Sequence, residues 1–528
     1  MRIRHLQRPC KSPPRCLILY CPWESRWMMR LSSSTIFDSN VAGMGQQQSL
    51  MLKTQQQIST GRRILSAADD PAAAAQALVV SQSDSANTQY TSNRNAAQSS
   101  LALAESTLQS VTNLLQAVKS TAVNAGNASL SNSDRASLAT QLNSQLQDLV
   151  GLANSTDGAG NYLFSGFQSG TQPFANTAAG MSYFGDNGQR NVQISASRQV
   201  PSSDSGADVF MRIKNGNGTF VAQAGSTNVG SGVINTGSVL NPAAVTGDSY
   251  TIAFGGLTSQ AVVGNTGTGA ISTPTVTSQA AVTGNDYSVT FTVSAGVTTY
   301  SVTNTTTGLP VAGMAAQPYV SGQNISFDGL QFNIKDGATP FVTGDTFTVT
   351  SPGYIVTDNT TATQVVPATT GRLPYVDGQA ISFGGMQVAI QGTPASGDTF
   401  SVAPSANESI FKTISDLVTT LKTGTPTPAN GGGTSLANKL NHALTSLDNS
   451  LNNVLTVRSS LGSRLNEISS LQTMGDSLGL QYKQTLSQLQ DVDMTKAISD
   501  LTQQKMGLQA AQQSFAAVST LSLFSYLK

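Results

Sequence analysis

The sequence predicts an α+β multidomain protein in which both ends of the chain form a discontinuous α-helical coiled-coil bundle and a β-rich region is inserted between them. Near each end, apolar residues recur at alternating steps of 3 and 4, which keeps one face of a helix against a partner helix. The middle is rich in Thr, Ser, Gly and Val, which are typical of strands and turns. With 528 residues, the chain is long enough for more than one domain.

The helical pattern forms four seams, two near each end of the chain. Their members are Phe37, Val41, Met44, Gln48, Met51, Gln55 and Ile58; Ala97, Leu101, Ala104, Leu108, Val111, Leu115 and Val118; Leu440, Leu444, Leu447, Leu451, Val454, Arg458, Leu461, Leu465 and Ile468; and Ala497, Leu501, Gln504, Leu508, Ala511, Phe515 and Val518. A lone helix buries no such stripe, so its partners are the other seams or other subunits. The Gln residues make the terminal seams weak, which suits helices that become ordered only in an assembly.

These patterns divide the chain into six parts. The parts are an extension over 1–28, a terminal helix over 29–70 that pairs with 491–528, a helical bundle with a β-hairpin over 71–200, a β-rich outer region over 201–405, the second part of the bundle over 406–490, and the C-terminal helix over 491–528.

Helix signals set the expected boundaries. Asp70 is placed to cap a helix that begins at Pro71, and Ser131 or Ser133 is placed to cap the next. We expect the remaining helices at 407–421, at 435–489 and up to Tyr526. Short strands are expected at 162–167, 192–194 and 209–213.

The β-rich region contains an internal repeat. The segment that begins Pro318-Tyr319-Val320-Ser321-Gly322 recurs as Pro374-Tyr375-Val376-Asp377-Gly378, and each copy ends in Gly-Asp-Thr-Phe, so the repeat spans 318–349 and 374–402. The Gly-Asp pair favours a turn, and the aromatic residue begins a strand. Because each copy is small, we expect neighbouring copies to pack on one another.

The first 28 residues differ in composition from the rest. They contain all three cysteines and both tryptophans, and they carry a net charge of +5. The apolar stretch 16–21 is followed by Pro22 and Trp23 rather than by a small-residue cleavage site. The three thiols lack the paired spacing of zinc sites. We therefore expect a mis-assigned start, with translation beginning at Met28 or Met29.

Composition argues against catalysis and against cofactor or metal binding. After Cys21 the chain has no cysteine, and its only histidine is His442, which lies within a helical seam. Triads, thiol nucleophiles and His- or Cys-based metal sites therefore lack their side chains. Nucleic-acid binding is not expected either, because net charge is zero and no basic stripe exists. No apolar run approaches the roughly 20 residues of a membrane span.

Two arginines lie on the seams. Arg458 occupies an apolar position of its heptad, and Arg94 precedes Ala97 by one step. A charge on a seam is costly unless it is paired. Either the helices turn this surface towards another subunit, or an acid within the bundle, such as Glu105 or Glu467, meets it.

Several dispersed blocks, in order, resemble the flagellin-like axial proteins of bacterial flagella. The blocks are 29–34 (MRLSSS), 58–64 (ISTGRRI), 67–72 (AADDPA), 458–466 (RSSLGSRLN) and 497–527. The ending, and the segment 162–166 (YLFSG) with Pro173-Phe174, are similar to the branch found at the junction between hook and filament. The extension 1–28 and the long β-rich middle depart from the family pattern.

The resemblance implies a non-enzymatic structural adaptor that is exported through the flagellar type III apparatus and lies outside the cell. It implies a homo-oligomeric ring whose partners are hook-associated protein 1, flagellin and an export chaperone. The candidate subunit or chaperone contacts are Phe37, Val41, Met51, Ile58, Arg94, Arg458, Leu501, Leu508, Phe515 and Leu523.

Two alternatives stay open at this point. The first alternative is a flagellin, the filament subunit, which copy number would distinguish from a ring protein. The second is a surface adhesin whose β repeats bind a ligand and whose helices form a stalk, although neither a secretion signal nor a membrane anchor is visible in the sequence.

Overall fold

The computed structural model describes residues 33–178, 180–369, 371–423 and 432–520. The predicted mis-assigned start, the predicted continuation of the last helix to Tyr526, and Leu523 lie outside the described residues. The described residues form helices α1 (Ser33–Thr60), α2 (Pro71–Ala125), α3 (Asn132–Ala153), α4 (Ile410–Lys422), α5 (Gly432–Gln490) and α6 (Met494–Thr520). The helices come from the two ends of the chain and the strands from its middle, which confirms the predicted fold class.

Side-chain caps begin the helices where the sequence predicts them. Asp70 Oδ1 accepts a hydrogen bond of 3.0 Å from the N–H of Ala73 at the start of α2. Ser131 and Asp134 form a reciprocal capping box at α3. Each cap satisfies a backbone donor that has no partner inside the helix.

The chain divides into two compact units, residues up to Ala86 with those from Leu478 onwards, and residues Asn87–Ser477. Helices α2 and α5 contribute to both. In the first unit α1 packs against α6. The second unit contains the main helical core and all of the strands.

The helical core of the second unit is built on the predicted seams. All seven positions from Ala97 to Val118 on α2 are buried, as are Leu440, Leu447, Val454, Leu461 and Ile468 on α5. Four aromatic rings pack together within this core, with ring centroids 5.1 to 5.9 Å apart: Phe164, Phe174, Phe210 and Phe411. The heptad pattern therefore predicted the packing faces of α2 and α5 correctly.

The described strands are, in chain order, β1 (Phe174–Thr177), β2 (Gly180–Tyr183), β3 (Asn191–Ser195), β4 (Arg198–Pro201), β5 (Ile213–Lys214), β6 (Phe220–Ala224), β7 (Val233–Ile234), β8 (Ser238–Val239), β9 (Tyr250–Gly255), β10 (Thr258–Ala261), β11 (Ala270–Ile271), β12 (Thr275–Val276), β13 (Tyr287–Ser294), β14 (Val297–Asn304), β15 (Leu309–Pro310), β16 (Gln317–Pro318), β17 (Asn324–Phe327), β18 (Leu330–Lys335), β19 (Thr346–Thr350), β20 (Gly353–Asp358), β21 (Thr363–Val366), β22 (Ala380–Phe383), β23 (Met386–Gln391), β24 (Thr399–Pro404) and β25 (Asn407–Glu408).

Strands β6 to β24 form two β domains, one inserted into the other. The outer domain, residues 220–255 and 353–404, has a sheet of order β21-β20-β9-β24-β6 and a smaller sheet in which β23 pairs with β22, β7 and β8. The inner domain, residues 257–350, has a sheet that contains β10-β19-β13-β14 and a smaller sheet in which β18 pairs with β17, β11 and β12. Each domain has its own buried apolar cluster.

The two domains repeat each other down to single hydrogen bonds. The carboxylate of Asp398 accepts three backbone N–H bonds in the outer domain, and Asp345 accepts three at the same place in the inner domain. The donors are Val229, Gly230 and Ala395 for the first and Thr266, Gly267 and Val342 for the second. Asn228 exchanges two hydrogen bonds with the backbone of Thr399, and Asn265 does so with Thr346.

The prediction that the sequence repeats pack on one another is therefore wrong. The segments 318–349 and 374–402 are the second halves of two separate domains, and each pairs with its own first half. The first halves supply β10 to β12 and β6 to β8, which complete the sheets because each repeat alone leaves strand edges unpaired.

Three local expectations are also wrong. Residues 162–167 form turns with one isolated bridge, because Leu163 and Phe164 are buried in the helical core rather than alternating across a sheet. Residues Ala207–Met211 form a π-helical turn that buries Val209 and Phe210. Asn407–Glu408 is strand β25, and α4 begins after Ser409, whose hydroxyl accepts from the N–H of Lys412 at 3.0 Å.

Candidate assembly surface

Helices α1 and α6 form the paired part of the first unit. The rings of Phe37 and Phe515 lie with centroids 5.0 Å apart. On α6 the inward residues are Ala497, Leu501, Gln504, Leu508, Ala511 and Phe515, of which Ala497 is buried and the others half-buried. These are the predicted seam positions of α6.

The seam of α1 has a different register from the predicted one. Met44, Met51 and Ile58 are half-buried as expected, but Gln48 and Gln55 are exposed and the inward residues between them are Gln47 and Thr54. Steps of 3 and 4 fit either register, and the sequence alone does not favour one. Phe37 and Val41 are 51% and 44% exposed.

The seam between α1 and α6 contains unsatisfied polar atoms. The Oε1 atoms of Gln47 and Gln504 are buried and have no hydrogen-bond partner among the described residues. A buried acceptor without a donor costs about 1–3 kcal/mol. The paired helices are therefore less stable in a single chain than an apolar seam of equal length would be.

A short backbone ladder links the turns that follow α1 and α5. The N–H of Arg63 donates to the carbonyl of Gln490 at 2.7 Å, and the N–H of Val492 donates to that of Gly61 at 3.0 Å. Gly61 has a φ of +69°, which is the left-handed conformation that ends helices and favours glycine. The Arg63 guanidinium also donates to the carbonyl of Leu489 at 2.8 Å. Part of the Ile58–Ile64 block thus has a structural task in this joint.

The adjacent acidic pair anchors the joint to α1. Lys53 Nζ lies 2.7 Å from Asp69 Oδ1, while the N–H groups of Leu65 and Ser66 donate to Asp69 Oδ2 at 3.0 and 2.9 Å. The hydrogen bond from Lys53, reinforced by these N–H groups, lowers the pKa of Asp69 to about 2. Asp69 therefore closes the turn and Asp70 caps the helix, which accounts for both acids without catalysis.

Large apolar side chains remain exposed on the first unit. They are Phe37, Val41, Leu50, Leu52, Leu65, Leu78, Val79, Leu478, Leu480, Met494, Ile498 and Met506, and Met506 is 60% exposed. Exposed apolar residues in this density are typical of protein–protein contact surfaces. We call this set the terminal apolar surface, and it is the candidate functional site.

Arg458 contacts an acid inside the bundle. Its Nε and Nη2 atoms lie 3.0 and 2.8 Å from Glu105 Oε1 on α2, and Nη1 donates to Thr112 Oγ1 at 3.3 Å. The Arg458 side chain is 19% exposed. Of the two interpretations of this seam arginine, the structure contains the cross-helix acid. Glu467 instead pairs with Arg198.

Arg94 is 2% exposed and is held by neutral groups. Its guanidinium donates to Gln472 Oε1 at 2.9 Å, to the carbonyl of Ile194 at 2.9 Å and to Thr91 Oγ1 at 2.7 Å. Burial lowers the pKa of Arg94, and the charge of nearby Asp476 opposes that shift. Arg94 thus ties α2, α5 and the β3–β4 hairpin together. Its contacts with Gln472 and Ile194 could not be predicted from a local pattern, because both residues are distant in the chain.

His442 has a partner that the sequence did not reveal. Its Nε2 lies 3.6 Å from Glu408 Oε2, which comes from β25 rather than from a helical seam. Burial raises the pKa of Glu408, but the hydrogen bond from His442 and its charge outweigh burial and lower it. Within the described part of the chain, no three His, Cys, Asp or Glu side chains converge as metal ligands would.

A helix that spans a bilayer needs about 20 mostly apolar residues. Over the ranges that the structure describes, none of the helices combines the length and the apolar character of a membrane span.

This chain is similar to one family model, to curated proteins and to solved structures. The model of the bacterial flagellin N-terminal helical region matches residues 32–169. Flagellar hook-associated protein 3 of Salmonella typhimurium is 38% identical over 185 residues, which are 35% of this chain and 58% of that protein. The crystal structure of hook-associated protein 3 from Legionella pneumophila has 27% identity and a TM-score of 0.56, covering 78% of this chain and 98% of that one.

A structure of the flagellar junction protein FlgL from the same organism gives 27% identity and a TM-score of 0.51, with 79% of this chain and 100% of that one covered. By these matches the chain is similar to the flagellin-like axial proteins of the bacterial flagellum. Within that class it is similar to hook-associated protein 3, which confirms the resemblance carried by the sequence blocks. The match to the Salmonella relative spans 58% of that protein's length.

Proposed function

We propose that the chain is a structural adaptor that joins the hook side of the flagellum to the flagellin filament. The observation that carries the proposal is the terminal apolar surface on a helix pair whose seam contains unsatisfied amide oxygens. Burial of these side chains against other subunits supplies the apolar contacts that the single chain lacks. The role is structural and non-enzymatic.

The partners follow from the resemblance to hook-associated protein 3. We infer a homo-oligomeric ring with hook-associated protein 1 on one side and flagellin on the other, assembled outside the cell after type III export. An export chaperone would bind Leu501, Leu508, Phe515 and Leu523 before assembly. Phe37, Val41, Met51 and Ile58 are the candidate contacts on α1, and Arg94 and Arg458 are the candidate polar contacts on α2 and α5.

The genetic test is deletion of the gene. We expect bare hooks and unpolymerised flagellin in the medium, with filaments restored by the full chain. Normal filaments in the deletion strain would refute the junction role. Copy number separates the adaptor from a filament subunit, because an adaptor is confined to one short ring while a flagellin is present along the whole filament.

The surface is tested in the same strain with a variant of α6. Ile498 and Met506 are 53% and 60% exposed, so replacing both by Glu leaves the fold of the single chain intact while placing charge in the contact. The matched control is Val297→Glu, a residue 59% exposed on the inner domain. We expect the α6 variant to be secreted without restoring filaments, and the control to restore them. If the α6 variant restores filaments as the Val297→Glu control does, these α6 residues are not part of the contact.

A further inference from the structure

The inner and outer β domains meet at two short crossings. Residues 256–257 lead from β9 into β10, and residues 351–352 lead from β19 back into β20. Gly255 and Gly353, just outside the crossings, are direct cross-strand partners. Both connections therefore pass side by side through one narrow point, which is the arrangement of a hinge.

Arg372 of the outer domain lies across this point. A side chain at Gly255 would collide with the Arg372 guanidinium, and one at Gly353 would meet the Arg372 Cβ at 2.9 Å. Glycine at both positions leaves the space that the arginine occupies. The guanidinium then reaches the inner domain, where Nη1 lies 2.9 Å from Asp286 Oδ1.

Polar contacts between described residues also cross the boundary. The N–H of Arg372 donates to the carbonyl of Gly284 at 3.2 Å, and Gln279 Nε2 donates to the carbonyl of Tyr375 at 3.3 Å. The apolar clusters of the two domains are separate. Burial therefore stabilises each domain internally but contributes little to their relative orientation.

The β-rich region has few charged side chains around this boundary. Between Lys214 and Lys335 the charged side chains are Asp248, Asp286 and Asp328. Asp286 is the one that faces Arg372, and the two side chains are 37% and 29% exposed. An ion pair at this exposure contributes modestly to stability and is weakened by salt.

We propose that Arg372 is a strap that holds the inner domain at a fixed angle, and that the inner domain swings about residues 256–257 and 351–352 when the Arg372–Asp286 ion pair breaks. The proposal does not depend on the junction role. It assigns a conformational device to the β-rich insert, in which polar contacts centred on the Arg372–Asp286 ion pair, rather than an apolar interface, hold the two domains together.

Distances between spin labels on the two domains test the strap in the full-length chain. Ser226 and Val263 occupy equivalent exposed positions in the outer and inner domains, so Ser226→Cys and Val263→Cys carry the labels. Cys10, Cys16 and Cys21 are replaced by Ser in every sample. The parent should give one narrow distance distribution at about 50 mM salt that broadens towards about 1 M.

The variants Arg372→Gln and Asp286→Asn should each broaden the low-salt distribution by about twofold and remove its salt dependence. The charge swap Arg372→Asp with Asp286→Arg should return it towards the parent width. Arg198→Gln is the matched control, because it removes an exposed arginine–carboxylate pair from the helical part of the same unit, and it should match the parent.

Thermal unfolding checks that the variants stay folded, and Asp286→Asn carries the test if Arg372→Gln does not fold. Two results would overturn the strap: low-salt distributions of both single variants that match the parent, or a charge swap that remains as broad as the single variants.

Discussion

Arg458 occupies an apolar position of the α5 seam, and Glu105 on α2 provides its countercharge. Arg94 occupies the same kind of position and is satisfied by an amide, a hydroxyl and a backbone carbonyl instead. Charged residues are only 11% of the chain. Single polar contacts therefore fix the register of helices whose apolar faces would otherwise slide, which is a known use of polar residues at seam positions.

The Arg458 contact is tested by Arg458→Leu. The change leaves Glu105 without its cation, and Glu105 Oε2 is already buried without a partner, so we expect a loss of about 1–3 kcal/mol in the free energy of unfolding. Urea unfolding followed by circular dichroism measures it. The double variant with Glu105→Leu should recover most of the loss, because both partners are then apolar.

Arg198→Leu is the control for that series, since Arg198 is 55% exposed in its pair with Glu467 and surface pairs contribute about 0–1 kcal/mol. If Arg458→Leu costs no more than Arg198→Leu, the seam ion pair has no special role.

Asp345 makes the stability of the inner domain depend on pH. Burial raises the pKa of Asp345, but three backbone N–H groups outweigh burial and hold the pKa below its ordinary value. The folded pKa is thus lower than the unfolded one, so this stability is present above about pH 3.9 and is lost as pH falls through the folded value. Asp345→Asn should cost about 1–3 kcal/mol at neutral pH and reduce the acid sensitivity.

Urea unfolding of the full chain, with Tyr287 and its neighbours of the inner domain followed by NMR, measures the Asp345 effect at neutral and acid pH. Asp148→Asn on the exposed face of α3 is the control. Equal pH dependence in Asp345→Asn and the parent would contradict the assignment.

At the scale of the elements, the seams separate what local sequence determines from what it does not. On α2 the inward residues are apolar at every step, so only one register buries them. On α1 the Gln residues at 47, 48 and 55 make two registers similar in apolar content. The structure uses Gln47 and Thr54, and only packing against α6 distinguishes this register from the predicted one.

The double variant Gln47→Leu with Gln504→Leu tests the α1–α6 seam. It removes two buried amide oxygens that have no donor and adds apolar area, so we expect the helix pair to gain about 1–3 kcal/mol in the single chain. Hydrogen exchange measured by mass spectrometry should show slower exchange in peptides from α1 and α6.

Gln55→Leu is the matched control for the seam, because Gln55 is exposed although the sequence pattern placed it inward. If Gln55→Leu slows hydrogen exchange and the double variant does not, the register predicted from the sequence is the correct one.

The sequence predicts more of this molecule where repetition is local. Heptads set the faces of α2, α5 and α6, and Asp70 and Ser131 set two helix starts. The nesting of the β domains was not predicted, because the two halves of the outer domain are separated in sequence by the whole inner domain. A signal was present in pairs such as Gly232 with Gly269 and Tyr250 with Tyr287, which recur at one constant spacing. Partners such as Glu408 for His442 depend on tertiary packing that no local pattern encodes.

In the molecule as a whole, the nested insertion places a complete second β domain within the outer one. Strands β9 and β20 leave and re-enter the outer domain as neighbours, so the insertion costs the outer sheet no pairing. In the inner domain the equivalent strands β13 and β14 are joined by a tight turn at Ala295-Gly296. The same sheet therefore tolerates either a short turn or a complete domain at this position.

Deletion of the inner domain tests that modularity. Residues 256–352 are replaced by Asn-Gly, so that a two-residue turn joins the paired residues Gly255 and Gly353. Because the two domains have separate apolar clusters, the outer domain and the helices should keep their folds, and the melting temperature of the helical transition should change by only a few degrees. In the deletion strain, this chain should restore filaments as the full chain does, since the terminal apolar surface is intact.

A control deletion of residues 220–404, closed at Thr219 and Ser405, removes both β domains. It loses the contact of Asn438 with the backbone of Gly232 and Ile234 and should lower the melting temperature further. If loss of the inner domain alone unfolds the bundle, the two domains are not independent modules, and the insert is part of the structural core.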